Sequence, residues 1–459
     1  MEYQVAVLGG GPGGYVAGIR AAQLGMKVCV IEKGKLGGTC LNVGCIPTKA
    51  LLASAEIYHT LVLSGSHHGI VLDNMALDMA AMVRRKDTVV KQLAGGIGYL
   101  FKKNGVTLIK GKGNLLSSKE IKVKTQEGIQ YITADNIIIA TGSVPLLPEA
   151  FGYDGEIVCS SDEALSWQQL PEKLVIIGGG VIGCEFATLY SSLGCDVTVV
   201  ELLPSLLSNL DEDLAKAATS SLQKRGVNIY TGVSVQTIEK QLSGAVVNLS
   251  NGEALKADRV LVAIGRKPVV ENIGLEYLGL NMDKGRIAVN GRMETGLSNV
   301  YAIGDVCNSP FDLAHTASRE GIVAVENIAG KDSTMDYSAI PNCVFTQPEL
   351  ATVGLTAKEV KQRDINVKIS VFKFSALGKA LAMGQPEGFI KLVVDASNDR
   401  LIGAQMAGPH VTDIIAQTAV LVRNKGTVDQ LIATVHAHPT LAEGVWEAAE
   451  GIYGRTIHS

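Results

Sequence analysis

The chain has 459 residues, is 47% hydrophobic and 19% charged, and carries a net charge of −4, so about three domains with buried cores are expected. That balance, with no basic stripe, excludes a nucleic-acid binder, and no apolar run reaches the roughly 18 residues that read as a membrane span. Eight cysteines in so long a chain exclude a disulfide scaffold, and Met-Glu-Tyr-Gln enters an apolar strand with no targeting pattern, which predicts a cytosolic protein or a processed organellar matrix chain.

The 51 glycines cluster at strand-to-helix junctions rather than in a repeat of low complexity. The first junction is complete. Val5–Leu8 is a short apolar run of the kind that forms a buried parallel strand, a helical pattern follows and stops at Gly25, and a second apolar strand leads to Glu32. This is a dinucleotide-binding fingerprint. Gly9 permits the turn, Gly11 lets the backbone approach a pyrophosphate, and Gly14 lets helix and strand pack closely, while Glu32 is placed to accept from a ribose diol.

Residues 37–49 read GGTCLNVGCIPTK. Cys40 and Cys45 are five positions apart, which in a regular helix is a rise of roughly 7.5 Å, beyond the roughly 7 Å Cα limit for a disulfide. Bridging them needs a distorted turn, which Gly44 and Pro47 permit. So small a loop makes a poor staple, and an accessible strained pair points to redox use. Structural zinc lacks nearby ligands, and the remaining six cysteines sit singly in apolar segments, as small core residues do.

Further along, Ile137–Ala140 is an apolar strand ending in Thr141-Gly142-Ser143. The segment Leu174–Glu201 then repeats Val5–Glu32 without a gap, Gly178, Gly180, Gly183 and Glu201 matching Gly9, Gly11, Gly14 and Glu32. Val260–Ile264, ending in Gly265-Arg266, occupies the same late position in the second copy as Ile137–Ala140 in the first. Val300–Ile303 ends in Gly304-Asp305; this aspartate suits a ribitol hydroxyl, and a turn-forming Gly-Asp fits it equally well. Two sites for adenine dinucleotides point to FAD and a nicotinamide cofactor. Glu201, followed by Leu202-Leu203-Pro204 and no arginine, favours NAD because a carboxylate repels a 2′-phosphate. Near the end stands His-Ala-His-Pro-Thr-Leu-Ala-Glu, where His436 and His438 are equally open to a functional reading.

In combination, the 37–49 segment, both fingerprints, the strand ends and HAHPTLAE resemble the flavoprotein disulfide reductases from about residue 2 to residue 455, and within them the branch that oxidises dihydrolipoamide. The resemblance implies an α/β fold: two Rossmann-like domains, for FAD and NAD, and a C-terminal α+β dimerisation domain. Boundaries are expected as FAD domain 1–148, NAD domain 149–267, central domain 268–337 completing the FAD site, and interface domain 338–459. It implies a homodimer that passes electrons from protein-bound dihydrolipoamide through the Cys40–Cys45 disulfide and FAD to NAD⁺.

The same resemblance assigns roles. Cys40 is implied as the thiol that exchanges with substrate and Cys45 as the thiolate beside the flavin. Lys49 is implied near the flavin, paired with Glu185; by themselves these two read as surface charges. His438 is implied as acid and base and Glu443 as its orienting carboxylate, serving the cysteines of the partner subunit. Other implied FAD contacts are Gly113, Thr141, Gly142, Ser143, Asp305, Leu313, Ala314 and His315. Implied NAD contacts are Val181, Ile182, Glu185, Val235 and Gly265, beside Gly178, Gly180, Gly183 and Glu201, and no metal is expected. Implied partners are a lipoyl domain and the dihydrolipoyl acyltransferase core of a 2-oxoacid dehydrogenase complex, or the lipoyl carrier protein of glycine cleavage, with no nucleic acid and no membrane. The alternatives are an NAD(P)H-dependent reductase of low-molecular-weight disulfides and a chiefly structural subunit of an assembly.

Overall fold

The computed structural model describes residues 2–458. Six strands, β1 (Glu2–Leu8), β2 (Val28–Glu32), β3 (Thr107–Lys110), β4 (Lys112–Leu115), β5 (Glu120–Thr125) and β6 (Gly128–Ile139), form one sheet in the order β3-β2-β1-β6-β5-β4. Val5–Leu8 is buried throughout, as a central parallel strand with both faces covered must be. β6 does two things. Its first half forms an antiparallel hairpin with β5, and Ile137–Ile139 runs parallel to β1. The strand Val300–Ala302 returns from far along the chain to pair in parallel with Ile137–Ile139, which brings its C-terminal Gly304-Asp305 to the edge where β1 and β6 end.

Four helices flank this sheet: α1 (Pro12–Gln23), α2 (Gly38–Val43), α3 (Cys45–Ser64) and α4 (Met79–Asn104). α1 opens with proline, whose fixed φ suits a first turn, and ends where Gly25 turns left-handed at φ +83. α4 is capped by Asp78, whose carboxylate accepts from the Ala81 N–H at 2.8 Å.

The second copy builds a second parallel sheet from Asn228–Thr231, Asp196–Glu201, Lys173–Ile177, Arg259–Val262 and Val158–Cys159, adjacent in that order. The chain leaves the first sheet through Ser143–Pro145 and returns through Arg266–Pro268, and these two segments pair antiparallel as a ribbon joining the nucleotide-type sheets. The C-terminal part is a five-stranded antiparallel sheet, with Asn342–Val344 at one edge, against which the helices Val411–Arg423 and Glu443–Gly451 pack. Lys391, buried in this sheet, reaches Asp211 at 2.5 Å and Asp213 at 2.7 Å, so the C-terminal sheet is pinned by a buried lysine to the start of the helix Glu212–Lys224 beside the second nucleotide-type sheet.

Cys29, Cys159, Cys184, Cys195 and Cys307 are buried as expected of core residues, whereas Cys343 is only half-buried because its strand is a sheet edge. Among the described residues no helix is long and apolar enough to cross a membrane.

Candidate active site

The two fingerprints fold identically. A Cβ on Gly9 would stand 2.2 Å from the Ala140 carbonyl oxygen, and one on Gly178 would stand 2.4 Å from that of Ala263. Gly14 and Gly183 are tighter still, at 1.9 Å from the Gly9 and Gly178 carbonyl oxygens. Packing therefore demands glycine at these four positions. The middle glycines differ: Gly180 has nothing within 4 Å, and Gly11 only Gly38 Cα at 3.8 Å. Open space at the N-terminus of a helix, facing backbone N–H groups, fits a pyrophosphate, so both grooves suit a dinucleotide.

The acids are held alike. Gly10 and Gly34 N–H groups donate to Glu32 at 2.7 and 2.6 Å, and Gly179 and Leu203 N–H groups donate to Glu201 at 2.6 and 2.7 Å. Each carboxylate keeps lone pairs for a ribose. Val181 and Ile182 open the helix Val181–Ser192 beside Gly180. The Val233 N–H donates to the Glu201 carbonyl at 3.2 Å, which brings Val235 to the same strand edge, and Gly265 stands just past the end of Arg259–Val262.

On the first sheet Thr141, Gly142, Ser143 and Asp305 converge. Thr141 Oγ1 donates to the Val269 carbonyl at 2.7 Å, and Ser143 Oγ donates to Asp305 Oδ2 at 2.5 Å. Leu313, Ala314 and His315 open the helix Ala314–Ile328, which crosses α1 so closely that a Cβ on Gly321 would meet the Gly13 carbonyl at 2.6 Å. Gly113 is different: it is buried in β4, and a Cβ there would lie 2.5 Å from the Leu8 side chain, so packing alone explains the glycine.

Between the cysteines the helix breaks, as their spacing requires. Cys40 lies in α2, Cys45 begins α3, and Gly44 separates them with φ −143 and ψ −116. A Cβ on Gly44 would sit 2.9 Å from the Thr39 carbonyl. The break brings the thiols into hydrogen-bond contact. This makes them unequal. The Cys40 hydrogen bond, helped by the Lys49 cation and opposed by burial, pulls the Cys45 pKa down to about 7, while its thiolate neighbour and burial push the Cys40 pKa up. In the reduced chain, the ultraviolet thiolate absorbance that a Cys45→Ser variant lacks will titrate with a midpoint near 7, its thiolate-to-thiol ratio falling about tenfold per pH unit below that. A midpoint at the ordinary 9.0 would mean that Cys45 is not the favoured thiolate.

Lys49 Nζ contacts both oxygens of Glu185, at 2.8 and 2.7 Å. The surface reading of these residues is corrected here: Glu185 is 5% exposed because the helix Val181–Ser192 packs against α3. The Phe345 N–H donates to Glu185 Oε1 at 3.0 Å, and Lys49 Nζ lies 4.4 Å from the Phe345 ring centroid. The C-terminal part thus closes over an ion pair drawn from helices that flank the two nucleotide-type sheets.

Near the C-terminus the two histidines separate. His438 Nδ1 is 2.8 Å from Glu443 Oε1, whose other oxygen accepts the Thr440 N–H at 2.7 Å. Burial works against the Glu443 charge, but the Thr440 N–H and the His438 ring outweigh it and hold the carboxyl below its ordinary value. The His438 side chain is 79% exposed, and its Nε2 makes no hydrogen bond among the described residues. Among the described residues, the one hydrogen bond of the His436 side chain is to the Thr434 carbonyl. A histidine held by a carboxylate at one nitrogen and open at the other is the geometry of a general acid and base.

Two neighbours escaped sequence reasoning. Arg266 donates from Nε to Ser143 Oγ at 2.7 Å, and its position directly after Gly265 at a strand end was a usable signal. Phe345 carried no such signal, since it acts through its backbone N–H.

Paired dinucleotide folds around a cysteine pair, with a separate C-terminal domain, define a nicotinamide-linked flavoprotein that exchanges disulfides. Comparison agrees: the family model "Pyridine nucleotide-disulphide oxidoreductase" matches residues 3–321 and its dimerisation-domain model matches 340–449, and the chain belongs to this family. FAD and NAD are its cofactors. Among its relatives are the dihydrolipoyl dehydrogenases of Chlamydia muridarum, 43% identical over 97% of this chain and 95% of that one, and of Thermus scotoductus, 43% identical over 99% and 98%. That of Bacillus subtilis is 41% identical over 100% and 99%. Among solved structures, LpdA from Mycobacterium tuberculosis superposes with a TM-score of 0.92 at 27% identity, over 98% of this chain and 99% of that one.

Proposed function

We propose that this chain is a dihydrolipoyl dehydrogenase in which Cys40 meets the substrate and Cys45 delivers its electrons. The observation that carries this division is the break at Gly44, which leaves Cys45 as the favoured thiolate beside Lys49 and Cys40 as the thiol. In the oxidised chain the pair is a disulfide. One thiolate of dihydrolipoamide attacks Cys40 Sγ and releases the Cys45 thiolate. The second substrate sulfur then attacks the substrate sulfur of the mixed disulfide, releasing Cys40. The substrate leaves as a cyclic disulfide, and two electrons remain on the cysteines. His438 takes the proton that makes each attacking thiol a thiolate and returns one to Cys40, while Glu443 holds Nδ1 and stabilises the imidazolium. When bound, FAD would supply an acceptor for the dithiol's electron pair and NAD⁺ a carrier for it as hydride.

FAD is assigned to Gly9, Gly11, Gly14, Glu32 and the Thr141–Ser143 and Asp305 edge, NAD to Gly178–Gly183 and Glu201, and Lys49 with Glu185 to the flavin ring between them. The four expected domains follow these assignments, the central one contributing the strand that carries Asp305. His438 is open on its own chain, which supports a homodimer in which it completes the partner's site. The substrate sulfur would then arrive on a lipoyl domain of a 2-oxoacid dehydrogenase or glycine-cleavage assembly in the cytosol or an organellar matrix.

The test is a steady-state assay crossing dihydrolipoamide, lipoamide and glutathione disulfide with both nicotinamide cofactors. Dihydrolipoamide with NAD⁺ is expected to give the highest kcat/KM. Preference for NADPH with glutathione disulfide would overturn the reading.

A further inference from the structure

The helix Ala314–Ile328 carries a fully buried acid, Glu320, 0% exposed, with no ion pair among the described residues. A buried carboxylate is costly unless its oxygens are satisfied. Glu320 is satisfied by neutral donors: the Gly304 N–H to Oε2 at 2.7 Å and the Tyr337 hydroxyl to Oε1 at 2.8 Å, with the Ser309 hydroxyl also in contact. Burial pushes its pKa up, and the nearby Asp305 carboxylate adds to that. Solubility and surface charge do not account for such a residue, but its hydrogen bonds do.

One of those bonds ends at a turn. Gly304 is left-handed at φ +71 and directs its N–H inward to Glu320. The next residue is Asp305, whose Oδ2 takes the Ser143 hydroxyl at 2.5 Å, while Ser143 is held by Arg266 at 2.7 Å. Asp305 is therefore gripped twice, by its side chain through Ser143 and by its backbone turn through Glu320. The helix that supplies Glu320 is itself locked, since Gly321 crosses Gly13 of the first fingerprint with no room for a Cβ.

We propose that Glu320 is a positioning residue for the flavin: through the Gly304 N–H it holds the turn that aims the Asp305 carboxylate at the ribityl hydroxyls of FAD. This rests on the reading of Asp305 as an FAD ligand. It does not require Glu320 to touch the cofactor.

The test is the rate of FAD release from the holoenzyme, followed as the rise in flavin fluorescence on dilution. Glu320→Leu, which removes both acceptors, is expected to speed release about tenfold or more. Glu320→Gln keeps an oxygen for the Gly304 N–H and is expected to stay within about threefold of the native rate. A double-mutant cycle then separates positioning from general stability. In an Asp305→Ala background, Glu320→Leu is expected to add less than about twofold, because its target is already gone. Native release from Glu320→Leu, or its full effect persisting in the Asp305→Ala background, would overturn the proposal. Should Glu320→Leu fail to fold, Tyr337→Phe carries the same cycle: about threefold faster release, suppressed by Asp305→Ala, supports it, and an unchanged or fully additive effect rejects it. If Asp305→Ala alone releases FAD at the native rate, the ligand reading fails and takes the proposal with it. If Asp305→Ala is fast and Glu320→Leu is not, the proposal alone fails.

Discussion

Replacing Cys45 by serine will leave a folded chain that retains FAD and turns over no dihydrolipoamide. Serine is nearly isosteric, and Cys45 stands at the first position of α3, where a small polar residue is well tolerated. The groove glycines, Glu32 and the Asp305 edge are untouched. What disappears is the sulfur that Cys40 must release when substrate attacks. Without it no chain disulfide exists to be reduced, and Cys40 can at most form a single mixed disulfide that goes no further. Loss of the Cys45 thiolate also removes the main cause of the raised Cys40 pKa, the hydrogen bond between the two, so Cys40 will ionise at lower pH than in the native chain. Steady-state lipoamide assays alongside a flavin absorbance spectrum check this. Native turnover by the variant would refute the electron path through Cys45.

His438→Gln is expected to lower turnover about 10²–10⁴-fold, the range for loss of a positioned acid and base, with the fold intact. The side chain is 79% exposed, and the Thr440 N–H still holds Glu443. Glutamine can occupy the space and reach Glu443, but it cannot take a proton near neutral pH. Thermal unfolding should therefore match the native chain while kcat falls, and near-native kcat would reject His438 as the base.

A mixing experiment locates its action. Cys45→Ser and His438→Gln chains are each inactive alone. If His438 serves the partner subunit, a hybrid dimer regains one working site, and random reassortment of equal amounts restores about a quarter of native activity. If it serves its own chain, every hybrid stays inactive.

The glycine fingerprints were legible residue by residue because each glycine answers a local backbone demand. The crowding at Gly9, Gly14, Gly178 and Gly183, and the open space at Gly11 and Gly180, follow the roles that their spacing implied. The cysteine turn was legible for the same reason, since five helical positions cannot bring two thiols together and Gly44 is where the helix breaks. Lys49 and Glu185 were legible only through family resemblance, because they are 136 positions apart and nothing local distinguishes them from surface charges. Phe345 and Glu320 were missed entirely, one acting by a backbone N–H and the other looking like an ordinary helical glutamate.

By itself, then, the sequence determined two dinucleotide grooves, a redox pair and a preference for NAD, all properties of short segments whose spacing limits the backbone. Family resemblance implied the roles of Cys45 and of His438 with Glu443, but only the tertiary structure shows the contacts that favour the Cys45 thiolate, set a carboxylate behind His438, and hold Asp305. Those depend on charge, burial and hydrogen bonds that exist only once the chain has folded: at the broken turn between Cys40 and Cys45, between His438 and Glu443, and across distant segments, as in the Lys49–Glu185 and Ser143–Asp305 contacts.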